Sequence, residues 1–406
     1  MTDARNIDPD GLAMFDPTGP DYVSDTYPTL KRIQDAGPIH MSKMGWLVTR
    51  HEDVARILKD SRTWGVISTL ERRQTLYGSG PMSEYASRRM SNYNPPDHTR
   101  LRSLVTKAFT ARRVEALRPR IQEIADDLLR SADSVDEFDF IETLAHPLPC
   151  QVICEMVGVP FSFSSQLSDW TSAVQAVLVP VPWPERIPAA NHAASEFMSF
   201  IRTLVDERSR SPGDDLLSAL IAAEDDGQRL TEEELVATVL FLFSAGHSTT
   251  RDLVGSGLLA LMWNRDQWLR LIRDASLAPS AVEECLRYAP SIPTMGRRAL
   301  LDTTVAETPI SAGEPIFVSI AAANRDPRCF ANPDQFDISR NNNDHLTFGG
   351  GIHFCLGATL ARVEAQVIFE TLSRRYPAME LARQTIEWRD TLSFRGPKAV
   401  RVSLRR

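Results

Sequence analysis

Residues 348–357 read FGGGIHFCLG. One cysteine, Cys355, closes a glycine-rich run, and His353 stands two positions before it. A structural thiol packs among apolar side chains and gains nothing from such company. Glycines also lose the most backbone freedom on folding. The following stretch, LGATLARVEAQVIFETL, has the composition of a helix, so Cys355 precedes a helix N-terminus. The outward N–H groups of such a terminus stabilise an anion and so favour the thiolate. Gly349, Gly350 and Gly351 let a flat, planar group approach the backbone. A phosphate-cradling loop would need a Lys-Ser/Thr ending or G-x-G-x-x-G after a strand, and neither is present. Two readings stay open on these residues: an inert buried cysteine, or one thiolate facing open space as an axial ligand of haem iron.

The rest of the chain bounds the choice. Its 406 residues carry a net charge of −8, from 45 basic and 53 acidic side chains, with 43% apolar residues. That balance argues against a nucleic-acid binder and leaves room for a local basic patch. The N-terminus, MTDARNIDPDGLAMFDPTGP, has no basic segment followed by an apolar run, so no secretory signal is read. No stretch reaches the roughly 18 apolar residues of a membrane span. Five cysteines without framework spacing fit a reduced, cytoplasmic setting. Cys150 and Cys154, one helical turn apart, read as packing in a buried helix. The expectation is one domain over residues 1–406.

Along the chain, IHMSKMGWLVT predicts a hairpin around Lys43-Met44-Gly45, followed by an amphipathic helix in HEDVARILKD. From about Ala108 to Glu224 the pattern is mostly helical. VLVPVPWPERIP, with four prolines between Val177 and Pro188, breaks it as a loop and candidate lid. Thr231 to Asn264 is the longest helical candidate; Thr231 and Glu234 fit a capping box. Its interior is apolar on nearly all sides and belongs in the middle of the protein. After Arg298, β-branched runs and Gly/Pro turns predict short strands.

FGGGIHFCLG resembles the haem-binding signature of the cytochrome P450 superfamily, F-G-x-G-x-H-x-C-x-G, at Phe348, Gly349, Gly351, His353, Cys355 and Gly357. Three further matches follow the family's order. In EECLR, Glu284 and Arg287 correspond to the E-x-x-R pair that anchors the loop under the haem, with the third member falling on Gln335 or Arg340. In PPDHTRLRSLVTKAF, His98 and Arg102 are similar to the helix that meets the haem propionates; Arg297 and His353 match two more contacts. In SAGHSTTRD, Ala245, Gly246, Thr249 and Thr250 match A/G-G-x-D/E-T-T/S, but Ser248 stands where the family has an acid. Small hydroxyl residues offer the backbone other partners, so a widened turn with room for dioxygen is expected there. Thr249 is the expected proton-relay alcohol, working with Ser248, Thr250, water or a substrate group. Asp252, one turn on, is a further candidate with an equal structural alternative, and His247 is read as structural.

The resemblance implies a mainly α P450 fold, a helical bundle around haem with a small β-rich region. It implies haem b (iron protoporphyrin IX) ligated by Cys355, O2 as co-substrate, and a thiolate that favours O–O cleavage. The implied reaction inserts one oxygen atom into a small, mostly apolar substrate, with a carrier-bound substrate as an alternative. Electrons would come from NAD(P)H through a ferredoxin and its reductase, which Lys107, Arg112, Arg113 and Arg362 are candidates to receive. By analogy Phe241, Ser244, Ala245, Ile292, Thr294, Met295 and Phe394 line the substrate pocket; the arginines of ERRQTLYGSGPMSEYASRRM offer a carboxylate or carrier contact instead. The missing acid gives weight to oxidative coupling, ring closure or peroxide-driven oxidation. A non-catalytic haem sensor or carrier is the alternative of another class.

Overall fold

The computed structural model describes residues 26–42, 44–67, 70–178, 184–389 and 393–404. The chain opens with helix α1 (Thr26–Ala36), strands β1 (Ile39–Ser42) and β2 (Gly45–Val48), and α2 (His51–Lys59). β1 and β2 form the antiparallel hairpin the sequence predicts, and the amphipathic helix follows it. Strand β3 (Trp64–Val66), α3 (Leu70–Tyr77) and α4 (Pro81–Arg88) lead to α5 (Asp97–Ala108), α6 (Ala111–Ala116) and α7 (Arg118–Leu129). β4 (Glu137–Asp139) precedes a wide helical turn, Ile141–Ala145. Then come α8 (Pro147–Val157), α9 (Ser164–Gln175), α10 (Ile187–Arg210) and α11 (Leu216–Ala222). The candidate lid falls between α9 and α10, and its residues 179–183 lie outside the described residues.

The central element is α12 (Glu232–Trp263), followed by α13 (Arg265–Arg273) and α14 (Ala278–Tyr288). Its start is fixed by the capping box: Glu234 N–H donates to Thr231 Oγ1 at 3.2 Å, and Thr231 N–H to Glu234 Oε2 at 3.0 Å. Because its interior is apolar all round, it packs against α4, α8, α9, α10, α14 and α16 (Ala358–Arg375). Gly257 makes part of this possible. A Cβ there would lie 2.8 Å from Phe369 Cζ and 3.0 Å from Cys285 Sγ.

The strands β5 (Thr294–Ala299), β6 (Thr303–Val305), β7 (Thr308–Ile310) and β8 (Pro315–Ser319) begin a few residues before the texture change at Arg298. Five strands form one sheet in the order β1-β2-β8-β5-β3, parallel only between β2 and β8. A short helix, α15 (Ile320–Ala323), follows β8. Beyond α16, β9 (Glu380–Leu381) and β10 (Arg401–Ser403) join β4 in a three-stranded sheet. Before β10 the chain pairs with itself: Arg389 N–H donates to Gly396 O at 2.9 Å and Lys398 N–H to Glu387 O at 2.8 Å. The structure is thus mainly helical with a small strand region. Among the described residues no helix is long and apolar enough to cross a membrane.

Candidate active site

The loop before α16 is pinned at both ends. Cys355 N–H donates to Phe348 O at 2.9 Å, and Gly349 N–H to Leu346 O at 2.8 Å. Gly351 has φ +60°, and a Cβ there would come within 2.8 Å of the Leu58 carbonyl at the end of α2. Only glycine serves at such a left-handed, crowded position. Cys355 is exposed to solvent on one side; desolvation by its neighbours pushes the thiol pKa up, while the Gly357 N–H, Arg102 and Arg362 pull it down. Arg362 also covers the Phe348 ring, 4.5 Å from its centroid, and pairs with Glu283 at 2.6 Å.

Four cationic or donor side chains gather beside this loop. The His98 and His353 rings lie 4.1 Å apart. Burial and Arg102 lower the His98 pKa to about 4. Burial, His98, Arg297 and Arg102 lower that of His353 to about 3. Burial takes even Arg297 down to about 10. Arg102 donates to the Phe354 carbonyl at 2.9 Å. Among the described residues no acid pairs with any of the four, and His98 Nδ1 is buried without a partner. Mutual repulsion of this kind is relieved by an anion. A group with two carboxylates and a metal for the thiolate fits this donor set, and haem b is such a group.

Beneath the loop, Glu284 and Arg287 are both fully buried and meet in two hydrogen bonds of 2.8 Å. Arg340 Nε reaches Glu284 at 3.1 Å, and Asn343 Nδ2 at 3.2 Å. The third cation is therefore Arg340. Gln335 contributes only its backbone carbonyl, which accepts from Arg287 and Arg340.

On α12 two faces separate. Phe241, Ala245 and Thr249, spaced one turn apart, are half-buried, whereas Ser244 and Ser248 are buried. Thr249 Oγ1 donates to Ala245 O at 2.6 Å, and Ser291 Oγ donates to Thr249 O at 2.8 Å. The helix runs through this stretch without a break, so the expected widened turn is not a gap in the helix. Ile292, Thr294 and Met295 are half-buried at the start of β5, and the Met295 sulfur lies 3.8 Å from where a Gly349 Cβ would stand. Phe394 is half-buried beside Arg389.

Contacts in the structure bear on three of the expected roles. Ser244 is buried where Phe241 is half-buried; its hydroxyl donates to Phe241 O at 3.1 Å and meets Tyr85 OH at 3.0 Å. A serine has one proton to give, so Tyr85 is the donor between them. Asp252 is fully buried and held by Arg389 at 2.8 Å, with Gly396 against it, which makes it an anchor for the C-terminal segment. Of the basic patch, Lys107 pairs with Asp225 at 2.6 Å, Arg113 with Asp214 at 3.6 Å and Arg362 with Glu283. His247, read as structural, is buried, with Nε2 2.9 Å from His146 O.

Two polar groups escaped the sequence reading. Gln175, at the end of α9, accepts from the Ser248 hydroxyl through Oε1 and donates through Nε2 to the Ser244 carbonyl. A carbonyl only accepts, so the amide orientation is fixed. Glu364 on α16 is fully buried, and burial pushes its carboxyl up to about 8 against the pull of the Thr250 hydroxyl. Its Oε2 has no partner. Neither contact has a local sequence signal, since each joins distant segments.

The comparisons agree with this geometry. The family model "Cytochrome P450" matches residues 41–391. "Polyketide biosynthesis cytochrome P450 PksS" of Bacillus subtilis is 38% identical, over 96% of this chain and 98% of the relative. "6-deoxyerythronolide B hydroxylase" of Saccharopolyspora erythraea is 36% identical, over 93% of this chain and 97% of the relative. The solved structure of P450BioI in complex with hexadec-9Z-enoic acid ligated acyl carrier protein superposes with a TM-score of 0.88 at 33% identity, covering 95% and 99% of the two chains. A helical fold with a cysteine loop ahead of a helix and a long central helix defines the haem-thiolate class. The chain belongs to the cytochrome P450 family, as a monooxygenase.

Proposed function

We propose that the protein inserts one oxygen atom from O2 into a small, mostly apolar substrate, with Cys355 as the iron ligand and His98, Arg102, Arg297 and His353 holding the haem propionates. The observation that carries this reading is the convergence of those four side chains with no acid among the described residues to balance them. When bound, the haem supplies the oxygen activation, and the protein supplies position, protons and exclusion of water. Phe241, Ala245, Ile292, Thr294, Met295 and Phe394 shape the apolar wall. Thr249 presents its hydroxyl at the reacting site and donates a hydrogen bond to the Ala245 carbonyl.

Ser248 does not replace the missing acid: it is a hydroxyl rather than a carboxyl, and it is buried against Gln175. Burial keeps a proton on the Glu364 carboxyl at neutral pH, against Thr250. We therefore read Glu364 and Thr250, rather than Ser248 or Asp252, as the store from which Thr249 is re-protonated. Electrons come from NAD(P)H through a ferredoxin and its reductase. Arg112 is the member of the basic patch without an ion pair among the described residues, so an acidic partner gains most there or by displacing an existing pair. A substrate from secondary metabolism accords with the polyketide relatives, and the acyl-carrier complex of one neighbour makes a carrier-bound substrate the alternative to a free one.

A second reading, oxidative coupling, ring closure or peroxide-driven oxidation, is favoured by the same Ser248–Gln175 bond, since it withholds an alcohol from the proton relay. Product analysis with ferredoxin, reductase and NAD(P)H in labelled O2 separates the two. One labelled oxygen in the product supports monooxygenation; product without label supports the second reading.

A further inference from the structure

Arg89 lies in the extended link between α4 and the turn Met90–Asn92. Its guanidinium covers the Phe241 ring, 5.0 Å from the centroid, and its Nε donates to Ser91 Oγ at 2.7 Å. The side chain is half-buried, and among the described residues no acid pairs with it. Its neighbour behaves otherwise: Arg88 takes Glu84 at 3.7 Å, and Arg202 takes the same carboxylate at 3.5 Å. Arg89 is thus a cation set on the substrate-facing side of α12 with its charge uncompensated. With Nε spent on Ser91, the two Nη groups remain as an end-on fork, the geometry that receives both oxygens of a carboxylate.

We propose that Arg89 is a carboxylate-binding subsite, and that the substrate is a free organic acid whose apolar chain runs from Arg89 along α12 to Thr249. The proposal rests on the reading above that Thr249 faces the reacting site. Phe241 marks the acid end, because the guanidinium is stacked on it. Phe241, Ala245 and Thr249 form one half-buried stripe. Eight residues of helix from Phe241 to Thr249 span about 12 Å. An extended chain of roughly ten carbons covers that distance at a C–C bond length of about 1.5 Å. Oxidation therefore falls near the far end of a chain of about ten to twelve carbons, away from the acid. The Phe241 ring holds the guanidinium in place and shields it from water on one face, which strengthens its bond to an anion. A neutral head, such as an ester or a thioester to a carrier, leaves the fork unsatisfied and loses that bond.

The test uses the ferric holoprotein and dodecanoate, with methyl dodecanoate and the N-acetylcysteamine thioester of dodecanoic acid as neutral-headed probes. Binding is read from the shift of the Soret band, which needs no turnover. The free acid is expected to bind at least about tenfold more tightly than either neutral probe, the discrimination of a charge-assisted bond. Arg89→Leu should erase the difference, Arg89→Lys should restore part of it, and added salt should weaken the acid alone. Equal affinities for acid and ester in the natural protein, tighter binding of the thioester, or a preference that survives Arg89→Leu each overturn the proposal. The carbon monoxide spectrum of the same samples keeps the two readings apart. A normal thiolate band without discrimination sinks the subsite and leaves the haem-thiolate assignment standing. Loss of that band in the natural protein sinks the haem-thiolate assignment itself.

Discussion

Arg340 donates through Nε to Glu284 at 3.1 Å, across 56 positions of the chain. The same guanidinium caps the Ala331, Asn332 and Gln335 carbonyls. Arg287 caps those of Asn324, Pro333 and Gln335. One buried carboxylate and two arginines therefore collect the backbone of a long irregular segment. That segment hands the chain on to the cysteine loop, so the pair sets where the sulfur stands.

Removing either member of the fully buried Glu284–Arg287 pair leaves an uncompensated charge, a change that costs about 3–5 kcal/mol. Glu284→Ala and Arg287→Ala are expected to lose that much in denaturant unfolding and to purify with little haem. Arg340→Ala, at the partly exposed edge of the cluster, should cost less and keep most of the haem. Equal losses in all three would contradict the ranking.

Glu364 gives a pH dependence with a definite sign. Its folded pKa of about 8 lies above the ordinary glutamate value of 4.5, so between those values the native state holds a proton that the unfolded chain has released. Stability from this group is complete below pH 4.5 and falls as pH rises towards 8, where the loss is complete. Glu364→Gln keeps a neutral hydrogen-bonding side chain and removes the titration. The variant should gain thermal stability relative to the natural protein as pH rises from 5 to 8, on the order of a few kcal/mol at the upper end. A gap that does not change with pH contradicts the protonated-carboxyl account. In turnover the same variant should release more peroxide per NAD(P)H consumed.

Gln175 and Ser248 act as a unit. Gln175→Leu and Ser248→Ala should each weaken the join between α9 and α12, and the double variant should cost less than their sum, with a coupling of roughly 0.5–3 kcal/mol. Additive costs would contradict the bond. Ser248→Asp sets a carboxylate against the Gln175 amide oxygen. The amide cannot flip without turning that oxygen onto the Ser244 carbonyl. This variant is expected to lose about 1–3 kcal/mol rather than to restore a proton relay.

What could be read in advance was what short-range chemistry encodes. The capping box at Thr231, the all-round apolar α12, the hairpin at Gly45 and the cysteine loop each declare themselves within a dozen residues. The i, i+3 spacing of Glu284 and Arg287 did likewise. Arg340 was narrowed to one of two positions because its role depends on how an irregular loop folds back. The burial of Ser244 was not legible, since a helix apolar on every side has no polar stripe to orient it. Tyr85 and Gln175 decide that orientation, and they come from distant helices. The ion pairs of the basic patch were out of reach for a related reason: Lys107 meets Asp225 and Arg362 meets Glu283 only through tertiary structure.

The most direct test of the account is the absorption spectrum of the haem-loaded protein, reduced and placed under carbon monoxide. A Cys355 thiolate on the iron predicts the strongly red-shifted Soret band of haem-thiolate proteins, and its loss in Cys355→Ala with the fold retained. A natural protein that binds haem yet shows the unshifted band, or a Cys355→Ala variant that keeps the shifted one, contradicts the ligand assignment and the function built on it.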